Sequence, residues 1–408
     1  MLLAVVNCHT FTIVAGMTRD FAPKLVEQFV RAATEGRRTR AEAMLAARPE
    51  LERDPWATLV LGWGWTGDPT EPGGPRDWAP ILYVSHSVFA PVELLRELLA
   101  RGADPNAVFV NEHGPMSAVY GAAGVVHDPA MTRALLEAGA DPNDNESVYH
   151  SCEAESPECL RLLLEHGARV PGTNALAHAL DYERPEHVRL LLEAGGDANE
   201  AAVLVHAVRR GRAPEYLRLL VEHGARLDPE AYRLAVRRGR HDQAETLAAL
   251  GVPREADAAD EAIGALARGE RPELVPELDA DAREVVVDAA MDGALEPVVD
   301  LYGTELRGNL GGTLLHAAAW HGRPDLVEEL LARGADVAAR AHTQYDTPLG
   351  WAVVGSAYAP LSGDPFAPTG GEHVAACELL VAAGGELEPR FLEVAEGELL
   401  VWLEERLG

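Results

Sequence analysis

The stretch Leu98-Leu99-Ala100-Arg101-Gly102-Ala103-Asp104-Pro105-Asn106 sets two aliphatic residues and two helix formers ahead of Gly-Ala-Asp-x-Asn, and it recurs along the chain. Copies stand at Leu135 to Asn143, Leu163 to Ala168, Leu191 to Asn199, Leu220 to Ala225, Leu330 to Asp336 and Leu380 to Gly385. Repetition at this scale marks an array of small units that bury their apolar faces only against their neighbours. The chain therefore reads as an all-α repeat solenoid.

Each residue class in the unit has a mechanical reason to be there. Val188, Leu191 and Leu192 fall at helical spacing and give a buried stripe. Gly195 supplies the left-handed residue that ends the helix. Asp-Pro-Asn after Gly-Ala is turn chemistry, because Pro fixes φ and Asx side chains bond nearby backbone. Upstream, Thr347-Pro348-Leu349 and Thr313-Leu314-Leu315-His316-Ala317-Ala318 read as helix starts with Thr as cap. Together these elements resemble the ankyrin repeat, whose unit is helix, turn, helix and a hairpin-like finger. Thr313 to Ala319, followed by Gly322 and Leu330 to Asp336, carries the resemblance most specifically.

Departures from that pattern shape the expected architecture. Helix-ending glycines Gly139, Gly167, Gly195 and Gly224 lie 28, 28 and 29 residues apart, against about 33 in a regular ankyrin unit, which predicts fingers clipped to bare turns. Around Ala231 to Gly251, Ala259 to Leu278 and Val285 to Gly303 the Gly-Ala-Asp signature is missing, yet Ala-rich first helices closed by Gly239, Gly269 or Gly293 remain. The reading is about ten units: capping helices over 17–61, an array over 81–390 and a C-terminal capping helix over 391–408. Two insertions interrupt it. Residues 62–80 hold Trp63, Trp65 and Trp78 among Pro and Gly, and residues 355–371 hold Tyr358, Pro360, Phe366 and Pro368. Loops this long cover sites, plug the apolar end of a stack, or stay disordered. Residues 1–16 are apolar without a basic start or an Ala-x-Ala cleavage site, so they read as a non-native or disordered extension before a second start at Met17.

Composition narrows the function classes. The 408 residues carry 65 acidic against 35 basic side chains, a formal charge of −30, and Lys24 is the sole lysine. Nucleic acid is an unfavourable partner, because phosphate neutralisation needs a basic footprint. Nothing reads as a membrane span. Arg-for-Lys usage rich in Ala, Gly and Pro is associated with GC-rich bacterial genomes, and a cytoplasmic monomer is expected. Cys8, Cys152, Cys159 and Cys377 show no paired or metal-ligand spacing, and Cys152 and Cys159 fall at small buried positions. Phosphate loops, nucleophile elbows, zinc-protease and dinucleotide motifs are all missing, and no cofactor is implied.

Superposing the units exposes a column on the first helices, the face that an ankyrin stack turns to its concave groove. His150, His178 and His206 recur 28 residues apart, with Glu153, Asp181 and Arg209 three residues after each, and Arg237 follows Arg209 by a further 28. Tyr83 and His86 extend the column upstream, Asp288, Trp320 and Trp351 downstream, and Tyr149 and Tyr182 flank it. Ankyrin units carry a structural His in the Thr-Pro-Leu-His tetrapeptide, a role that fits His316, and a slip of one residue would return the three histidines to it. In the groove-facing register, helices packed about 8–10 Å apart set the imidazoles too far apart to share a zinc at about 2.0–2.1 Å, so no metal site is expected. A carboxylate at i+3 can still reach the imidazole on the adjacent helix. Two functions follow. One is a binding scaffold that takes a protein partner or small ligand in the groove through Tyr83, His86, Tyr149, Tyr182, Arg209, Arg237, Trp320 and Trp351. The other is a small-molecule enzyme of isomerase, cyclase, lyase or hydrolase type, with His150, Glu153, His178, Asp181 and His206 as its acid–base cluster.

Overall fold

The computed structural model describes residues 24–111, 114–144, 146–358, 372–395 and 397–407; the extension over 1–16 and most of the second insertion lie outside them. Contacts group the chain into two compact units, Met1–Asp197 and Ala198–Gly408. Both are built from consecutive helix pairs, as the repeat requires.

In the first unit, helices over 24–34, Arg38–Ala47 and Pro55–Val60 precede four pairs. These are Pro80–Ser85 with Val92–Ala100, Ala118–Val125 with Pro129–Glu137, Glu146–Ser151 with Glu158–Glu165, and Ala175–Ala179 with Pro185–Glu193. The second helices bury the expected stripe, including Val188, Leu191 and Leu192. Gly139, Gly167, Gly195 and Gly224 all take φ between +90° and +95°, the conformation that ends these helices without a Cβ penalty.

The Asn of the repeat does more than shape its own turn. Asn106 Nδ2 donates to the Gly139 carbonyl at 3.1 Å while its Oδ1 accepts from Asp141 N–H at 2.8 Å. Asn143 repeats this on the next turn, donating to the Gly167 carbonyl at 3.5 Å and accepting from Arg169 N–H at 3.0 Å. In the second unit Asn199 does the same with Gly224 and Arg226, at 3.0 and 2.8 Å. One amide thus satisfies both a donor and an acceptor of the following turn, which is why the motif ends in Asn.

The first insertion folds back as a plug. Gly73 and Trp78 form a bridge, and Tyr83 Oη donates to the Gly73 carbonyl at 2.8 Å and accepts from Arg76 N–H at 3.0 Å. Trp78 is buried and stacks on Phe109 at 4.0 Å, while Trp65 sits 4.5 Å from Trp56. Phe109 belongs to a short antiparallel hairpin, Val108–Asn111 with Gly114–Ser117. This hairpin is the one two-stranded sheet among the described residues; the connections after Gly139, Gly167 and Gly195 are short, as their spacing predicts, while 303–313 carries an isolated bridge between Arg307 and Thr313.

The second unit holds the pairs Val203–Arg209 with Pro214–Glu222, Pro229–Arg237 with His241–Ala249, Ala280–Ala289 with Leu295–Tyr302, Leu314–Trp320 with Pro324–Ala332, and Pro348–Tyr358 with His373–Ala382. Helix Ala258–Ala267 is a departure. Residues 268–279 after it form no second helix, because Pro272 and Pro276 each remove a donor and clash with a helical path. Helix Gly397–Leu407 follows the last pair. The three described cysteines, Cys152, Cys159 and Cys377, are free and buried, and burial pushes all three thiols upward. No described helix is long and apolar enough to cross a membrane.

Candidate functional site

His150 and His178 close two successive first helices of the first unit, and the chain turns directly after each. Glu153 N–H donates to the His150 carbonyl at 3.0 Å, and Asp181 N–H to the His178 carbonyl at 2.9 Å, so both carboxylates swing back beside their own imidazole. His150 Nδ1–H donates to Glu153 Oε1 at 2.7 Å, and His178 Nε2–H reaches the same oxygen across the helices at 3.0 Å. The other nitrogen of each ring also faces a carboxylate: His178 Nδ1 lies 3.3 Å from Asp181, and His150 Nε2 lies 3.4 Å from Glu146. Arg184 holds the turn by donating to the Glu153 carbonyl at 3.1 Å.

Tyrosines wall this network. Tyr149 stacks on His178 with ring centroids 3.8 Å apart and planes 8° from parallel, and Tyr182 meets the same imidazole edge-on at 5.3 Å. Tyr120 packs against His150 at 5.3 Å. The side chains of His178 and His150 keep 11% and 28% of their surface, enough to touch a partner and too little to move freely.

Electrostatics follow from the geometry. Burial opposes the charge on Glu153, but hydrogen bonds from His150 and His178 outweigh it and bring the carboxyl down to about 2. Burial likewise opposes protonation of His178, and the hydrogen bonds to Asp181 and Glu153 overcome it, raising the imidazole above its ordinary 6.5. These are one attraction seen from its two ends. The phenols of Tyr120, Tyr149 and Tyr182 are all raised by burial and then by the neighbouring carboxylates, Tyr120 to about 12, so they remain hydrogen-bond donors at neutral pH.

His316 shows what the structural role looks like. It is fully buried, its Nδ1 accepts from Thr313 N–H at 3.1 Å, and its Nε2–H donates to the Asp346 carbonyl at 3.0 Å. Burial lowers its pKa, the opposite of His178.

Several residues of the sequence column lie elsewhere. Tyr83 and His86 do not face a groove: both are buried, Tyr83 fixing the first insertion and His86 donating Nδ1–H to the Leu82 carbonyl at 2.9 Å, with burial pulling its pKa to about 4. His206, half-buried, and Arg209, exposed, belong to the first helix of the second unit. Arg237 is not a free anion holder. It is nearly buried and pairs with Asp260 at 2.6 Å and Asp279 at 3.0 Å, which already neutralise its charge.

Trp320 and Trp351 line a separate cavity of about 340 Å³ in the second unit, together with Glu284, Asp288, Thr343 and Tyr345. Glu146, Tyr120 and Arg184 escaped the sequence reading. Glu146 could have been found four residues before His150 on the same helix face, and Arg184 from its recurrence as Arg212, Arg240 and Arg268 at steps of 28, whereas Tyr120 lies 30 residues before His150, off that period. Among the described residues no group of three or more His, Cys, Asp or Glu is placed to hold a metal ion.

A family model described as ankyrin repeats in three copies matches residues 116–202, which include both histidines of the cluster, and a single-repeat ankyrin model matches residues 310–342. Among solved structures, the crystal structure of the ankyrin repeat domain of Bcl-3, a unique member of the IkappaB protein family, aligns at 21% identity and a TM-score of 0.29, covering 65% of this chain and 90% of that one. No curated protein matches. With helix pairs closed by left-handed glycines, the Thr313–His316 tetrapeptide in its structural role and two matched segments, the chain carries ankyrin repeats over residues 116–202 and 310–342.

Proposed function

We propose that this interaction scaffold recognises its partner through the first-helix face of the first unit, in the groove where Tyr149, His178 and Tyr182 stand. Ankyrin repeats are protein-interaction modules, and the finer assignment rests on one observation: the His178 ring is held at both nitrogens, one face and one edge while part of it stays exposed. Both nitrogens face carboxylates, one ring face is covered by Tyr149, and Tyr182 closes an edge. A rigid, partly exposed aromatic patch with settled polar groups loses little freedom on binding, which favours affinity. Free buried cysteines fit a reducing compartment and hence the cytoplasm.

The acid–base reading finds less support in the same geometry. A general base needs a nitrogen within hydrogen-bond reach of the substrate proton, and His178 would have to surrender Glu153 or Asp181 to offer one. Site-specific photo-crosslinking in the native host separates the readings. A photoreactive residue at Tyr149 or Tyr182 is expected to trap a protein adduct that the same group at Arg189, exposed on the second helix, does not. Adducts from Arg189 alone, or loss of a measured turnover on His178→Ala with the fold intact, would overturn the proposal.

A further inference from the structure

The cavity between Leu314–Trp320 and Pro348–Tyr358 has walls suited to a particular ligand chemistry. Trp320 and Trp351 meet at 6.1 Å with planes 72° apart, and Tyr345 lies alongside. Trp351 is held in place from two sides. Its Nε1–H donates to Thr343 Oγ1 at 3.1 Å, and its ring lies so close to Gly312 that a Cβ there would come within 2.6 Å of it. The lining also carries Glu284 and Asp288, one helical turn apart on Ala280–Ala289. Asp288 is shared with Arg238 at 3.1 Å. Glu284 is half-buried and has no ion-pair partner among the described residues, so one carboxylate beside an aromatic wall is left uncompensated.

We propose that this cavity binds a weakly hydrated organic cation, a guanidinium or alkylated ammonium group carried on an apolar stem. Indole faces attract cations through the ring quadrupole, Trp most strongly. A half-desolvated carboxylate gains most from a partner of opposite charge. A primary ammonium holds its water more tightly than a guanidinium or alkylated ammonium and gains less from such walls. An anion would meet Glu284, and a neutral ligand would leave it unpaired. The chain already uses this chemistry nearby, since the Arg390 guanidinium lies 5.2 Å from the Tyr345 ring centre. The volume, about 340 Å³, falls in the range of small-ligand sites. The inference concerns the second unit alone and stands apart from the reading of the histidine site.

Titration calorimetry on the full chain tests it with two matched pairs: choline against its uncharged tert-butyl isostere, and a capped arginine tripeptide against the same peptide with citrulline. Each cation is expected to bind about 10-fold tighter than its neutral isostere. In Glu284→Gln that preference should narrow, while Trp320→Ala weakens both ligands and the cation more than its isostere. Tighter choline binding would identify a free small molecule as the source of the cation, and tighter arginine binding a partner's side chain. Neutral isosteres binding as well as the cations, or no cation binding at millimolar concentration to a chain with native circular dichroism, would overturn the proposal.

Discussion

At the scale of single residues, Glu153 decides how the cluster behaves. It accepts from two imidazoles on neighbouring helices, so its ionised form supports the fold, most strongly while His178 is protonated. A depressed carboxyl contributes stability above its ordinary 4.5 and loses it as pH falls towards about 2. A raised imidazole contributes below its ordinary 6.5 and loses its share as pH climbs through the higher folded value. The two windows overlap between 4.5 and 6.5. Replacing Glu153→Gln is therefore expected to cost about 1–2 kcal/mol within that window, shrinking on either side, as read from thermal melts of wild type and variant across pH. A penalty that stays flat from acid to alkaline pH would mean that Glu153 acts by packing alone. The i+3 spacing made this contact legible in the sequence. Glu146 as the second carboxylate of His150 also lay within reach of helical spacing, but the pairing of Tyr149 with His178 depends on how adjacent helices stack, which no local pattern reports.

At the scale of elements, the turns are joined by asparagine amides as well as by apolar burial. Asn143 bonds the Gly167 carbonyl and the Arg169 N–H of the next turn. Asn143→Ala removes both at a partly exposed site and is expected to cost about 1–2 kcal/mol, with hydrogen exchange accelerating first around Gly167 to Arg169. Unchanged protection there would assign the joining force to the helices alone. The Gly-Ala-Asp-x-Asn motif announced a turn but not its reach into the following unit, because the second half of the contact lies about 25 residues downstream on plain backbone. Where the motif fades, the sequence overestimated order: the Ala258–Ala267 helix is alone because Pro272 and Pro276 outweigh the apolar pattern. The hairpin of Val108 to Ser117 was missed because strand alternation over four residues is too short to stand out in a helical chain.

At the scale of the whole molecule, charge and repeat give different kinds of information. Repetition fixed the architecture from Leu98 onward, and −30 of net charge says nothing about it. Charge instead sets self-repulsion, which salt screens over about 10 Å at 0.1 M. The melting temperature is therefore expected to rise between low and moderate sodium chloride, and a fall would show that ion pairs such as Arg237 with Asp260 outweigh the repulsion. The first-helix column was legible as a period of 28, yet the period alone could not separate His178 from the tetrapeptide role held by His316, nor show that Tyr83, His86 and Arg237 are consumed by internal contacts. That distinction between a partly exposed imidazole paired with carboxylates and a fully buried one bonded to main chain and its own cap carries the proposed function. Nuclear magnetic resonance titration of isotopically labelled histidine tests it most directly. His178 should titrate above 6.5 and fall in Asp181→Asn, while His316 titrates below 6.5 and ignores that change; a His178 that titrates low and is insensitive to Asp181 would contradict the account.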